Sequence, residues 1–259
     1  MKRSRFPLLC LLALLVFFYA PIIVLVLNSF NASRFGGNWE GFTWEWYEKL
    51  WDMEEIWESL QTSLKIAVLA SVASMLLGTA AAWALHRFQT RLQRLHLAVI
   101  AVPLMVPDIL MGISLLLLFV ALGVETGFAT IWIAHVTFCV SYVTMVVLGR
   151  LQDFDFQLVE AARDLGASPW QAARRVVLPL LAPGIVAGGL LAFTLSIDDY
   201  VITFFVQGAG STTLPLRIYS MMKVSRNMPV INALSTLLLV ATFATVSISF
   251  FLTKRKSKS

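Results

Sequence analysis

The sequence predicts an all-α integral membrane protein with six transmembrane helices, and three observations carry that prediction. The first is composition: 58% of the 259 residues are hydrophobic and 14% charged, with a mean hydropathy of +0.78, too apolar for a soluble domain of this length. The second is run length. A helix needs ~20 apolar residues to cross ~30 Å of hydrocarbon, and six such stretches occur, at about residues 8–28, 61–85, 98–121, 128–149, 183–206 and 231–252. The third is charge placement. With the N-terminus inside, fourteen of the twenty Lys and Arg residues fall in inner segments and five in outer ones, the bias that sets orientation. Both chain ends are therefore expected in the cytoplasm. The net charge of +5 is then a topology signal and implies no nucleic acid.

Taken in order, the chain opens with Lys2, Arg3 and Arg5 before an apolar run that extends to Leu27. This resembles a signal peptide, but the run is long and Ala20-Pro21 is a poor cleavage site, so an uncleaved first span is expected. Residues 29–60 are expected to form an outer segment in which Trp39, Phe42, Trp44, Trp46, Tyr47, Trp51 and Trp57 interleave with Glu40, Glu45, Glu48, Asp52, Glu54, Glu55 and Glu58. Aromatic rings anchor membrane interfaces. Aromatic faces with carboxylates also attract organic cations through cation–π contacts and steering, and Trp46, near the middle, is the candidate contact. The second span, with Lys65 at its edge, ends at Leu85. The loop His86–His96 then reads as a basic inner connection, its histidines too far apart to be ligands.

The third span contains Pro103 and Pro107 followed by Asp108. Two prolines bend or break a membrane helix, which is tolerated where freed carbonyls face protein or water. A mid-membrane carboxylate costs about 2.5–3.5 kcal/mol, so Asp108 marks an aqueous path, a partner or the cap of a restarted helix. The fourth span carries His135 with no acid one turn away, which favours an interhelical hydrogen bond over a proton relay. The fifth span has Gly184, Gly188 and Gly189 for close packing, then Asp198, Asp199 and Tyr200. Adjacent acids project about 100° apart on a helix, so one faces a central path and the other pairs with a neighbour. Negative charge left unbalanced in the spans suits a cation pathway, although carboxyls can stay protonated in low dielectric. Residues Leu214–Lys223 suit a short interfacial helix before the last span and its basic end. Cys10 and Cys139 lie in apolar runs with no ligand spacing around them, so neither a metal site nor a redox role is assigned.

Between the fourth and fifth spans lies a polar stretch with helix signals. Gln157–Leu165 has helical apolar spacing, and Gly166 suits the position past a helix end. Ser168-Pro169-Trp170-Gln171 combines an N-cap, a proline at the first helical position and a capping-box glutamine; Pro179 is expected to end or kink that second helix. Glu160-Ala161-Ala162, Gly166 after three residues, then nine residues to Val176, Leu178 and Pro179 resemble the EAA loop of ABC importer membrane subunits. The matching residues Glu160, Ala161, Ala162, Gly166, Ser168, Leu178 and Pro179 are thereby implied to form a cytoplasmic coupling helix, over residues 154–179, that docks on a separate ATPase. Val176 departs conservatively from the usual isoleucine.

The resemblance runs nearly the full length. Asn28–Asn31, Arg34-Phe35-Gly36, Pro107-Asp108-Ile109, Ala134–Cys139, Ala192–Asp199 and Leu214–Ser220 are similar to the second permease subunit of spermidine/putrescine ABC importers. It implies the type I importer permease fold in a bacterial inner membrane. The implied partners are a homologous permease subunit, two copies of a cytoplasmic ATPase and a periplasmic polyamine-binding protein. The chain has no GxxxxGK[ST] phosphate loop, so it is expected to bind no cofactor and to catalyse no reaction, with ATP-Mg held by the partner ATPase. Asp108, Asp198, Asp199, Tyr200 and Trp46 are the expected substrate-pathway residues. Another imported ligand, such as an amino acid or ferric ion, is the alternative. A proton-coupled secondary transporter would instead use Asp108, Asp198 and His135 as relays.

Overall fold

The structure is a computed structural model that describes residues 6–34, 38–88, 91–225 and 228–256. Lys2, Arg3, Arg5, Phe35, Gly36, Arg226 and Lys258, used above, lie outside the described residues. In chain order the helices are α1 Phe6–Asn28, α2 Glu45–Asp52, α3 Glu54–Arg87, α4 Gln93–Met105, α5 Asp108–Ala121, α6 Phe128–Gln152, α7 Gln157–Asp164, α8 Pro169–Ala172, α9 Leu178–Ile197, α10 Val201–Val206, α11 Leu214–Ser220 and α12 Met228–Lys256. Residues Ala173–Val177 and Met221–Ser225 form wider π-helical turns.

Among the described residues, four helical runs are long and apolar enough to cross a membrane: Leu8–Asn28, Glu54–Arg87, Phe128–Gln152 and Pro169–Ile197. The second starts earlier than residue 61, because Glu54 and Glu55 in its first turn and His86 and Arg87 in its last complement the helix dipole. The expected third span is not one helix. It breaks at Val106-Pro107 into α4 and α5, bent by 108°, where Pro107 has no N–H to continue the ladder and holds Val106 extended. The expected fifth span, 183–206, is also interrupted: α9 stops at Ile197 and α10 restarts at Val201. Pro179 does not end the preceding helix. The run Pro169–Ile197 is continuous, because the wider π turn sits where the proline ring would meet a carbonyl four residues back. Within α12 the apolar stretch Met228–Ala244 corresponds to the sixth expected span.

The described chain falls into two compact units, residues 58–217 and a second made of residues up to 57 with those from 218. In the larger unit α6 packs along α9 and α10 packs on α5. Its core joins Ile66, Phe119, Phe138, Val147, Leu181 and Ile202. Val143 on α6 is gripped by glycines from both sides: a Cβ at Gly78 would stand 2.8 Å from its Cβ, and one at Gly188 3.2 Å from its Cγ1. At Gly189 a Cβ would collide with Met75, and the Gly189 carbonyl accepts a hydrogen bond from Ser71 Oγ at 2.6 Å. Small residues thus bring backbones close where lipid supplies no hydrophobic drive, as the glycine spacing of the fifth span anticipates. In the other unit α12 packs on α1 and α2.

Candidate functional site

The break between α9 and α10 is built from side chains of three helices. His135, 1% exposed on α6, has both ring nitrogens engaged. Nδ1 lies 2.7 Å from Ser196 Oγ on α9, and Nε2 lies 2.9 Å from Thr203 Oγ1 on α10 and 3.3 Å from Asp199 Oδ2. Thr203 has one hydroxyl proton and gives it to Asp199 Oδ2 at 2.7 Å, so Nε2 carries a hydrogen and donates to Thr203. Asp199 also accepts from the amides of Thr203, at 2.8 Å, and Ile202, at 3.4 Å. These are otherwise orphaned donors in the first turn of α10. The interhelical reading of His135 holds, but its acid partner, absent from its own helix, comes from 64 positions further on.

Of the adjacent acids, Asp199 is therefore the paired one and Asp198 is exposed. Tyr200, half-buried, stacks obliquely near Phe204, centroids 5.8 Å apart. Asp108 opens α5 directly after the proline break and is exposed. Among the described residues neither Asp108 nor Asp198 has an ion-pair partner. Cys139 is buried and donates to the Ala192 carbonyl at 3.5 Å, and Cys10 is exposed.

In the outer segment, Asn31 organises the fold, although nothing in the local sequence marks it for that role. Its side chain accepts from the Ser33 and Glu40 amides and donates to the Asn38 carbonyl, while its own carbonyl receives Trp46 Nε1 at 2.7 Å. Trp46 is 5% exposed and has the Lys49 ammonium over its ring, 4.8 Å from the centroid. In this conformation it offers a ligand little area, whereas Trp39, Phe42 and Trp44 are exposed. Phe30, Phe42, Trp44 and Tyr47 form one ring cluster, with centroids 5.0–5.6 Å apart. The Lys49 ammonium also holds the Glu45 carboxyl below the usual carboxylate range.

From Gln157 to Gln171 the chain folds as its sequence signals predict, whereas Pro179 does not end the second helix. α7 places Glu160 on an exposed face, Gly166 takes φ +86°, and Ser168 and Gln171 exchange reciprocal bonds, Gln171 N to Ser168 Oγ at 3.3 Å and Ser168 N to Gln171 Oε1 at 2.8 Å. Ala161, Leu178 and Pro179 are exposed, and Ala162 is half-buried. A cavity of about 560 Å³ is lined by Glu160 and Arg163 of α7, by Val159 and Phe156, and by Trp83, His86 and Arg87 at the end of α3. On the α3 side the His86 ring lies flat on Phe156, centroids 4.9 Å apart and planes 7° apart, with Phe154 edge-on. His86 thus has a structural neighbour that its loop position does not advertise.

Residues 70–256 match the family described as "Binding-protein-dependent transport system inner membrane component". The chain is 44% identical over 246 residues to the spermidine/putrescine transport system permease protein PotC of Escherichia coli (strain K12), covering 95% of this chain and 93% of that one. It is 43% identical over 263 residues to the putrescine transport system permease protein PotI of the same strain, covering 99% and 93%. Among solved structures, a bacterial ABC transporter involved in alginate import matches with TM-score 0.74 at 18% identity, over 96% of this chain and 99% of that chain. The MetNI methionine ABC transporter in an inward-facing form matches at 0.60 and 20% identity, over 76% and 92%. At such identities these two similarities concern the fold.

Proposed function

The chain belongs to the family of inner membrane components of binding-protein-dependent transport systems, and from that premise we propose that it is a permease subunit of an ATP-driven importer of polyamines. The observation that carries the substrate class is the identity of 44% and 43% to a spermidine/putrescine and a putrescine permease, over at least 93% of each chain compared. The geometry supports it. Asp198 and Asp108 are exposed and uncompensated beside helix breaks, a setting that stabilises an organic polycation, while Asp199 is occupied by His135. Tyr200, close to Asp198 in sequence, offers a ring face, and the outer segment by itself offers exposed rings, Trp39, Phe42 and Trp44, interleaved with carboxylates.

On this reading both chain ends lie in the cytoplasm of a bacterium, whose inner membrane holds the spans. A homologous permease forms the other half of the pathway. A periplasmic binding protein delivers the amine, and two cytoplasmic ATPase subunits dock at the α7–α8 loop. This chain holds no cofactor and performs no chemistry; ATP-Mg belongs to the ATPases. ATP-driven closure of those subunits moves the Glu160–Pro179 stretch, opening the pathway outward, and release inward follows hydrolysis. The cavity beside Glu160, backed by the His86–Phe156 stack, suits a protruding side chain of the ATPase and links it to α3.

The test is uptake of radiolabelled spermidine and putrescine by vesicles containing this chain with its neighbouring ATPase, partner permease and binding protein. ATP-dependent accumulation supports the proposal and ranks the two amines. Failure with both, while ATP is still hydrolysed, discards the substrate class and keeps the importer.

A further inference from the structure

We infer that His135 is a positioning residue of the pathway, setting where Asp198 and Tyr200 point by clamping the two halves of the broken fifth span from a different helix. The inference rests on the permease reading and deepens it. A buried imidazole that served only to join two helices would need one bond. This one makes bonds on opposite sides of a break, to Ser196 one residue before α9 ends and to Thr203 and Asp199 on the α10 side. The break itself has no proline and no glycine, since residues 197–201 read Ile-Asp-Asp-Tyr-Val. No proline or glycine therefore imposes it, unlike the break at Pro107; Asp199 caps the restarted helix locally, and the bonds that span the break come from His135.

What holds it open is the set of bonds just described. Asp199 accepts the first-turn donors of α10, which stops α9 from running on, and the Nε2–H of His135 fixes Thr203 in the orientation that lets its hydroxyl reach Asp199. Each residue added to a continuous helix would turn the next side chain by about 100°. If the break closed up, Asp198 and Tyr200 would leave their present directions together. Asp198 is thereby aimed by a buried residue, His135 being 1% exposed.

Two substitutions separate the halves of the clamp. In His135→Asn the amide can occupy the place of Nδ1 and keep Ser196 but cannot reach α10; in His135→Gln the longer amide can take the place of Nε2 and keep Thr203. With the full importer complex in vesicles, His135→Asn is expected to lower polyamine moved per ATP hydrolysed about tenfold, as for loss of a bond to a charged network, and His135→Gln to recover most of it. A second readout uses no substrate. The thiol of Asp198→Cys, in a background with Cys10→Ser, is expected to change its reaction rate with a charged methanethiosulfonate reagent severalfold when His135→Asn is added. Equal coupling and equal labelling in the parent and His135→Asn would overturn the inference. If the His135 variants fail to assemble, Thr203→Val, which keeps volume and loses the hydroxyl, takes their place: altered labelling of Asp198→Cys upholds the clamp and unaltered labelling overturns it. Should the unsubstituted complex import no polyamine, the polyamine reading fails while the permease family stands, and the labelling arm alone decides the clamp.

Discussion

The coupling stretch and the break between α9 and α10 are both interruptions in an apolar chain, and they are made in opposite ways. The stretch from Gln157 to Gln171 is shaped by contacts within four residues: a glycine at φ +86°, a serine cap and its glutamine return bond. The break at Asp198–Tyr200 is shaped by His135, more than sixty residues upstream. The first is an exposed surface. The second is internal, and its geometry belongs to the packing of α6 against α9 and α10. On the proposed reading the first is the handle for an ATPase and the second a gate: a handle can be encoded locally because it must keep its form when detached, whereas a gate must be held by the elements around it.

The largest effect is expected at the handle. Glu160→Arg reverses the charge on the exposed face of α7 and should abolish ATP-dependent uptake while the complex still assembles; normal uptake in vesicles would remove this face from coupling. Next comes the packing that carries the gate. Gly189→Val places two methyl groups against Met75 and should cost about 1–3 kcal/mol, the usual penalty for overpacking, read as a lowered melting temperature of the purified complex. Unchanged melting would mean that α3 and α9 are not held this close.

The gate's own chemistry is expected to be smaller in energy. Asp198→Asn should reduce maximal uptake about tenfold, as loss of a charge-assisted contact does, with assembly intact. Asp108→Asn should act in the same direction, and unchanged kinetics in both would eliminate the acidic pathway. The smallest effect is at a cap. Ser168→Ala removes one side of the reciprocal bond and should cost about 1 kcal/mol of local helix stability, seen as faster amide exchange at residues 170–172 with uptake nearly unchanged. A large loss of uptake there would show that the handle, too, depends on long-range support.

Legibility followed the range of the forces involved. The proline break before Asp108 could be read because Pro103 and Pro107 act on their own backbone, and the packing glycines could be read from spacing, although their partners Val143 and Met75 could not. Trp46 looked available because aromatic residues surround it in sequence; folding turns its indole inward to the Asn31 carbonyl. His135 has no acid within a helical turn of it in sequence, because the acid that answers it, Asp199, lies at the break between α9 and α10.

By itself the sequence determined the all-helical membrane class and the local caps of the Gln157–Gln171 stretch, and it predicts approximate spans and a sidedness. These depend on transfer of side chains into hydrocarbon and on bonds between near neighbours, both properties of a short stretch of chain. Only the tertiary structure decided that the fifth span is broken, that Pro179 is absorbed by a π turn, and which of two adjacent acids stays unpaired. Those outcomes depend on which groups from distant segments satisfy a buried polar atom, and in a nonpolar interior that choice is enforced by the cost of leaving it unsatisfied.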